Sequence, residues 1–504
     1  MMSKNKTLKI FASVSGLMII DKILGFVKQM FVASTFGATI ETDIINLSQG
    51  AVSDIQYILA QALITSFVSI YIYSQQGENN SAEKSRIFVG DAIKAFAVIS
   101  FALTAVLYFS SDILAKILAP SYSIELISQL SNYIKLYSTI IVLFSIICIF
   151  RAVLSANKNF IPEQLVSFNQ SAITIITVVI LGHMWGPKVL VVSFFVFTVW
   201  NAVFLGFLCR KEIVLRFSNP LKNPHVPKLF KMILPLLLGY SLIYVNQMVD
   251  RMLVSGLGAG VITALTYGSV LSNLVTAFVS TFCNIIFSYI TTEISTGRYK
   301  VASDIANTSA KTFTIAFMPI TLIFVICSHD IVSIVYGRGA FDASAVMSAS
   351  YALKGYAIMF LPMVFREIYT RFQYAFQDSK KPMINGSIGI VSNIVLSIIF
   401  CQFWGVFGVA LATSISVLIS AVLNLLTARG KTSELNYSFM KGFSFKLVGV
   451  TLIAIIASIS IYNQLEMHSF FKLIIISAIC FGVFGICFLK DLFKGLKGLC
   501  NLKK

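Results

Sequence analysis

The stretch SVSGLMIIDKILGFVKQMFVASTF, residues 13–36, is followed closely by IETDIINLSQGAVSDIQYILAQALITSFVSIYIYSQ, residues 40–75. Both segments are long and apolar enough to be helices that cross a bilayer, which takes about 20 apolar residues. Each nevertheless carries charged side chains, which are Asp21, Lys22, Lys28, Glu41, Asp43 and Asp54. A charge at the bilayer centre costs at least about 2.5–3.5 kcal/mol, so such residues face a protein interior or a watery cavity. The stretch predicts two helices that line a polar site inside a membrane protein.

The composition of the whole chain supports this class. Apolar residues make up 57% of the 504 positions and charged residues only 12%, whereas soluble domains have about 45–50% and 25%. The fold predicted is an all-α polytopic membrane protein of about fourteen transmembrane helices. Their centres are expected near residues 21, 58, 100, 144, 172, 199, 242, 275, 319, 358, 393, 417, 452 and 479.

The net charge of +18 is explained by topology rather than by nucleic-acid binding. With an even number of spans both termini lie on one side, and 28 of the 39 basic residues fall in or beside the loops of that side. Cytoplasmic loops of membrane proteins carry such an excess of Lys and Arg, so both termini are predicted to be cytoplasmic. The same basic loops predict a weak attraction to anionic lipid headgroups.

Short patterns recur about 220 residues apart and predict an internal repeat. Three sets of residues keep one order and nearly one offset. They are Ser34, Gly37, Ala38 and Thr42 with Ser255, Gly258, Ala259 and Thr263; Phe150-Arg151 with Phe365-Arg366; and Trp185-Gly186 with Trp404-Gly405. The predicted organisation is a six-helix half over 1–209, a basic cytoplasmic linker over 210–230 and a second half over 231–429. Residues 430–504 then hold spans 13 and 14 and a basic tail. Halves of six helices share one orientation, as in parallel-repeat transporters.

The repeat places spans 1, 2, 7 and 8 around one cavity. Span 7 adds Asp250 and Arg251 to the charges of spans 1 and 2, and span 8 is polar but uncharged. These charges are predicted to bind a substrate or to gate access to it. The alternative is that Lys28, Arg251 and the acids form structural ion pairs that fasten the halves together, and both roles are compatible.

At these residues the chain resembles the MurJ (MviN) family of lipid II flippases, within the superfamily of multidrug, oligosaccharidyl-lipid and polysaccharide exporters. The family's pattern Ser-Arg-(Ile/Val)-Leu-Gly-Phe-x-Arg is matched by residues 21–28, DKILGFVK, followed by Phe36-Gly37-Ala38 and Thr42-Asp43. Further matches are Arg338 to Phe341, Tyr374 to Pro382 and Gly405 to Ser414. The resemblance covers spans 1–12 in order.

The chain departs from the family pattern where the family is most basic. Lys22 and Lys28 replace two arginines, which keeps the charge but loses the bidentate fork that suits phosphate. Gln56-Tyr57 stands where the family has paired arginines, and Ser269-Val270 where it has Asp-Arg. A substrate that is different or less anionic therefore becomes an open alternative.

The resemblance implies a flippase that moves a lipid II-like polyprenyl-diphosphate saccharide from the inner to the outer leaflet of the bacterial cytoplasmic membrane, for peptidoglycan synthesis. Lys22, Lys28 and Arg251 would hold the diphosphate, and Asp21, Asp43, Asp54 and Asp250 would pair with them, gate the site or couple an ion. Spans 13–14 would take the lipid tail. Membrane lipids are expected partners, other cell-wall synthesis proteins are possible ones, and nucleic acid is not expected.

Three alternatives stay open at this stage. They are a flippase for another lipid-linked polysaccharide, a cation-coupled exporter of small molecules, and a membrane scaffold that does not transport. The sequence has no enzyme signature, because its four histidines are scattered without ligand spacing and Gly430-Lys431-Thr432 lacks the upstream glycine of a phosphate loop. No cofactor or metal is expected, and coupling to the membrane potential or to a monovalent cation is possible.

Overall fold

In the computed structural model the described residues are 4–75, 81–159, 161–217 and 219–500. Within these ranges the regular structure is helical, with sixteen α-helices and no strand. The bounds are α1 Lys4–Phe36, α2 Ile40–Gln75, α3 Ser81–Leu118, α4 Ile124–Ser138, α5 Ile141–Ala156, α6 Ile161–Trp185, α7 Val189–Cys209, α8 His225–Ser255, α9 Val261–Ser295, α10 Tyr299–Ile326, α11 Ser328–Tyr336, α12 Ala343–Ala357, α13 Phe360–Ala375, α14 Lys380–Arg429, α15 Ser438–Tyr462 and α16 Ser469–Cys500. The prediction of an all-α protein is confirmed.

Eight helical segments in the described residues are long and apolar enough to cross a membrane, or up to ten if each of two bent pairs counts as one span. The bent pairs are α4 with α5 and the two parts of α8. Thirteen of the fourteen predicted centres lie inside helices, and residue 358 lies in the short joint between α12 and α13. The fold is compatible with fourteen spans, and that count stays a prediction.

Two glycines break the helical path at corresponding places in the predicted repeat. α6 ends at Trp185 and Gly186 follows with φ +58°. Within α14, Gly405 has φ +53° and ψ −131°, so this element consists of two helices joined at a kink. Positive φ favours glycine because it has no Cβ to clash with the backbone. The two Trp-Gly pairs of the sequence therefore mark the same structural event in both halves.

By contacts, the chain divides into two compact units that differ from the predicted halves. The first unit is Met1–Thr263 with Gly339–Phe341, and the second is Ala264–Arg338 with Asp342–Lys504. α8 groups with the first unit because it packs on α2 and α3. The repeat boundary in the linker stays a prediction, since a repeat describes ancestry and a contact unit describes packing.

The first unit has an aromatic core between α2, α3, α5 and α8. Phe67 and Phe88 are fully buried, and their rings stack with centroids 5.0 Å apart. Burying one such side chain contributes about 1.5–3 kcal/mol where the alternative is water. Tyr71, one turn along from Phe67, is also buried and donates a hydrogen bond to Glu212 Oε2 at 3.1 Å. This packing holds α2, which carries several of the predicted site residues.

Polar contacts attach α15 and α16, the last two helices, to the rest of the second unit at both of their ends. Near one end Asp491 of α16 binds the Nζ of Lys311 at 2.8 Å and of Lys446 at 3.3 Å. Near the other end Tyr462 of α15 donates to Asp330 Oδ2 at 2.7 Å, and Asp330 is buried. Composition indicated only that these helices are apolar. The contacts add that α15 and α16 are attached to α10 and α11 by buried or half-buried charges.

The family-like motif Tyr374 to Pro382 contains the loop before α14, and its Asp378 makes hydrogen bonds there. Asp378 accepts hydrogen bonds from the backbone N–H of Lys380 and of Lys381, at 3.0 and 3.2 Å, and from Lys431 Nζ at 2.5 Å. The hydrogen bond from Lys431, followed by those from the backbone, holds the pKa of Asp378 below its ordinary value. The acid thus caps the first turn of α14 and fixes the loop that follows Arg429.

The predicted topology has a direct test. Cysteines introduced at Leu257 and Ser344, which are exposed, should react with a membrane-impermeant thiol reagent from outside intact cells. Cysteines at Asn219 and Ser433, also exposed, should react only after permeabilisation. Labelling in the opposite pattern would overturn the predicted orientation and the placement of both termini, and labelling that differs at only one position would overturn the span count.

Candidate functional site

The centre of the candidate site is an ion pair between α2 and α8. Arg251 Nη1 lies 2.6 Å from Asp54 Oδ2, and the Asp54 side chain is only 5% exposed. A Cβ added at Gly50, one turn before Asp54, would lie 2.5 Å from Arg251 Nη1. The missing side chain at Gly50 is therefore what lets the guanidinium lie against α2. Charge-assisted pairs of this kind are stronger than neutral hydrogen bonds.

Aromatic side chains surround this pair. Tyr57 of α2 stacks on Tyr244 of α8 with ring centroids 6.3 Å apart, and Phe144 of α5 meets Tyr57 edge-on. Arg151 of α5 is close enough for its charge to act on the Tyr57 hydroxyl. Sequence reasoning assigned Arg151 to a cytoplasmic loop and so missed it. Its echo in the repeat, Arg366, was the only sequence signal that singled it out.

The predicted charges of α1 lie on a helix with a different main neighbour. α1 packs chiefly against α6, whereas α8 packs against α2 and α3. Lys28 is half-buried and lies within electrostatic range of Asp21, and Lys22 is exposed. Among the described residues no hydrogen bond or ion pair joins either lysine to Arg251. The structure does not bring the three predicted cations into direct contact.

Asp43 has a different kind of partner from Asp54. It is fully buried, and its carboxylate accepts hydrogen bonds from the backbone N–H of Gly260 and of Thr263, each at 2.7 Å. These donors open the first turn of α9, where the helix dipole favours a negative charge. Asp43 therefore holds the start of α9 through the backbone, without a cation. Asp250, the fourth predicted acid, is buried on α8.

Two residues that the predicted repeat relates to each other meet beside Asp43. The hydroxyl of Thr263 donates to that of Thr42 at 3.3 Å, and these two threonines occupy matching positions in the predicted repeat. Asn46 also donates to the Thr263 hydroxyl, at 2.9 Å. The contact lies between the start of α2 and the start of α9, where the predicted halves share a pattern of small and polar residues.

A third loop closes on the same region through backbone contacts. The Ala340 N–H donates to the Ser34 carbonyl at 2.8 Å. Gly339 has φ +62°, and a Cβ there would lie 2.1 Å from Ser34 O. A Cβ at Gly260, with φ +81°, would lie 2.2 Å from Ala38 O. We call the contacts of residues 34–43, 256–263 and 339–341 the loop joint. Its backbone approaches explain why the Arg338 to Phe341 motif needs small residues.

The arrangement offers chemistry for binding and conformational change. The guanidinium of Arg251 carries five N–H donors. Nη1 donates a hydrogen bond to Asp54, so the N–H groups of the other two nitrogens are available for an anionic group. The aromatic faces of Tyr57 and Tyr244 offer an apolar surface next to this cation. In the part of the chain that the structure describes, no three His, Cys, Asp or Glu residues form a group that could hold a metal ion.

Curated proteins that resemble this chain are named as lipid II flippases. A "probable lipid II flippase MurJ" of Vibrio cholerae is 24% identical over 428 residues, which cover 81% of this chain and 80% of the relative. A "probable lipid II flippase MurJ" of Treponema pallidum is 18% identical over 483 residues, covering 94% and 91%.

Solved structures share the fold. A lipid II flippase MurJ in an inward closed conformation matches with a TM-score of 0.79 at 22% identity, covering 96% of this chain and all of that one. An inward-facing multidrug resistance MATE family transporter of the MOP superfamily matches with a TM-score of 0.63 at 12% identity, covering 83% and 96%. The chain thus has the same overall fold as these two solved structures.

The family model described as "Lipid II flippase MurJ" matches residues 32–481, which include α2 to α15, the Asp54–Arg251 pair and the loop joint. On this match the chain belongs to the MurJ family of lipid II flippases.

Proposed function

We propose that this protein moves a lipid-linked cell-wall precursor, a polyprenyl-diphosphate saccharide like lipid II, from the inner to the outer leaflet of the bacterial cytoplasmic membrane. The family match over residues 32–481 carries the proposal. The buried charges of α2 and α8 support it, because a lipid head group that crosses the bilayer needs polar partners along its path.

The diphosphate would bind to Arg251, Lys28 and Lys22. Two phosphates that leave water need charge-assisted hydrogen bonds to be compensated. Arg251 would share its guanidinium between Asp54 and a phosphate, while the lysines of α1 would provide point charges on flexible stems. In this proposal the three cations would converge on the diphosphate when it binds.

The loop joint would be the outer gate of an alternating-access cycle. Asp43 and the backbone contact between Ser34 and Ala340 hold it closed, and release of a substrate on that side requires these loops to separate. The 2.8 Å hydrogen bond between Ala340 N and Ser34 O holds the two backbones in contact, so these positions are the ones chosen for a cross-link.

A disulfide across the loop joint should stop transport reversibly. The double variant Ser34→Cys/Ala340→Cys should support growth of flippase-depleted cells only with a reductant present, and each single variant should support growth in both conditions. Full activity of the double variant with the disulfide verified by mass spectrometry would contradict a gating role for this joint.

Energy should come from an ion gradient, the membrane potential or the substrate's own gradient. Dissipating the potential or the ion gradient should therefore change transport in reconstituted vesicles, while removal of ATP should not. A requirement for ATP in the purified protein would refute this proposal.

Complementation tests the function in cells. Expression of this chain in bacteria depleted of their own lipid II flippase should restore growth and cell shape. Verified expression in the membrane without rescue would count against lipid II as the substrate.

A flippase for another lipid-linked polysaccharide is the second candidate. The stacked pair Tyr57 and Tyr244 favours it, because Tyr57 stands where the family has an arginine. An aromatic face suits a sugar or an apolar group better than a second phosphate. Rescue of a strain that lacks a different polysaccharide flippase, but not of one that lacks the lipid II flippase, would decide for this candidate.

A further inference from the structure

The segment between α7 and α8 exposes apolar and basic side chains side by side. It contains residues 210–217, RKEIVLRF, and 219–224, NPLKNP. Leu215 is 66% exposed, Leu221 is 59% exposed and Phe217 is fully exposed. Three large apolar side chains exposed within seven positions form a patch of the kind that marks an interaction site. We call residues 210–217 and 219–222 the linker patch.

The backbone of the linker patch is held against α3, so its exposed side chains do not result from a loose loop. Val214 N–H donates to Arg86 O at 3.2 Å, and Lys94 Nζ donates to Arg216 O at 2.7 Å. Ile213 packs under the segment against the aromatic core of the first unit. With Ile213 turned inward and the backbone fixed, Leu215 and Phe217 point away from the protein.

The charges of the linker patch are complementary to an anionic surface. Arg210, Lys211 and Lys222 are exposed. The nearby acids are engaged within the protein: Tyr71 donates to Glu212, Arg216 binds Glu83 at 2.5 Å, and Lys94 binds Asp91 at 2.8 Å. A surface cavity of about 510 Å³ adjoins the patch. Its polar lining includes Lys84, Lys222 and His225 as well as Asp91, Asn219 and Asn223.

The position of the linker patch places it at a membrane surface. α7 ends at Cys209, directly before the patch, and α8 begins at His225, directly after it. Both helices belong to segments that are apolar enough to cross a membrane. A short segment between the ends of two spans lies at the level of the lipid headgroups, where basic and apolar residues together bind anionic lipid.

We propose that the linker patch is an interfacial anchor that binds anionic phospholipid. Leu215, Phe217 and Leu221 enter the boundary between headgroups and acyl chains. Arg210, Lys211 and Lys222 pair with the headgroup phosphates around them, and the cavity beside Lys84 and Lys222 accepts one such headgroup. The anchor is separate from the transport site, and it fixes α3 and the linker to the membrane surface.

Fluorescence depth measurements in proteoliposomes test this proposal. The full-length variant Phe217→Cys, labelled with an environment-sensitive fluorophore, is compared with Glu434→Cys, an exposed loop position on the same predicted side. Protein without an introduced cysteine corrects for labelling of native thiols. With anionic lipid present, lipids brominated in the acyl chain should quench the label at 217 at least about twofold more than the label at 434.

Charge variants separate the two parts of the anchor. Adding Lys211→Gln and Lys222→Gln to the labelled Phe217→Cys protein should remove most of the extra quenching that anionic lipid produces, with an unchanged gel-filtration profile. The proposal is overturned if aqueous iodide quenches the label at 217 as strongly as the label at 434 and brominated lipid does not. It is also overturned if shielding of position 217 requires a cytosolic extract, which would indicate a protein partner instead.

Discussion

Replacing Arg251 with alanine should abolish rescue of flippase-depleted cells. The change leaves Asp54, whose side chain is 5% exposed, without its cation. Removing one partner of a buried ion pair costs about 3–5 kcal/mol, because the other charge remains buried and uncompensated. The change also removes the only arginine of α8. The measurement is growth on depletion, with the amount of membrane protein determined in parallel.

Two further variants separate binding from stability. Asp54→Asn/Arg251→Gln replaces the ion pair with a neutral pair, so the protein should accumulate normally and still fail to rescue if Arg251 binds the diphosphate. Gly50→Ala should weaken function without deleting a charge, because its Cβ displaces the guanidinium from Asp54. If the neutral pair restores both expression and function, Arg251 and Asp54 are a structural pair and the substrate binds elsewhere.

Replacing Lys28 with alanine should also abolish rescue, at normal expression. Lys28 is half-buried on α1, and Asp21 is the acid whose charge reaches it. Loss of a hydrogen bond to a charged group costs about 1.5–3 kcal/mol, which lowers transport roughly ten- to a hundredfold. Lys28→Arg keeps the charge and should retain most function.

Matched variants show whether the effect is specific. Lys300→Ala, at an exposed position at the start of α10, should leave rescue unchanged. Asp21→Asn should have a smaller effect than Lys28→Ala, because the cation stays in place. If Lys28→Ala reduces only the amount of folded protein, and its transport per molecule is normal, Lys28 serves the packing of α1.

The all-α class and the ends of two spans were predictable from sequence because each depends on local patterns. Apolar length gives membrane helices directly, since the bilayer sets one length for every span. The two span ends were marked by Trp185-Gly186 and Trp404-Gly405, because a helix that breaks at positive φ favours glycine at that position. The repeat inferred from these pairs stays a prediction. The number of spans was harder to predict, since a bent pair such as α4 and α5 adds a span only if its two helices make one crossing.

The contacts within the site were not predictable, because they join residues about two hundred positions apart in the sequence. Sequence reasoning selected Asp54 and Arg251 by their depth, and only the packing of α8 on α2 shows that they bind each other. Asp43 was selected as an acid that would pair or gate. Its partners are backbone N–H groups, which carry no sequence signal. Arg151 was overlooked because a count of the basic residues in and beside loops does not show how far each one lies inside a span.

Direct measurement of flipping in vesicles is the closest test of the proposed function. Purified protein is reconstituted with a fluorescent lipid II, and an added enzyme that cannot cross the bilayer cleaves only the head groups on the outer face. Vesicles with wild-type protein should lose nearly all of the substrate, whereas vesicles with Arg251→Ala or Lys28→Ala should lose only the half that faces outward from the start. Loss of only that half with well-inserted wild-type protein, under an imposed membrane potential and ion gradient, would contradict lipid II flipping.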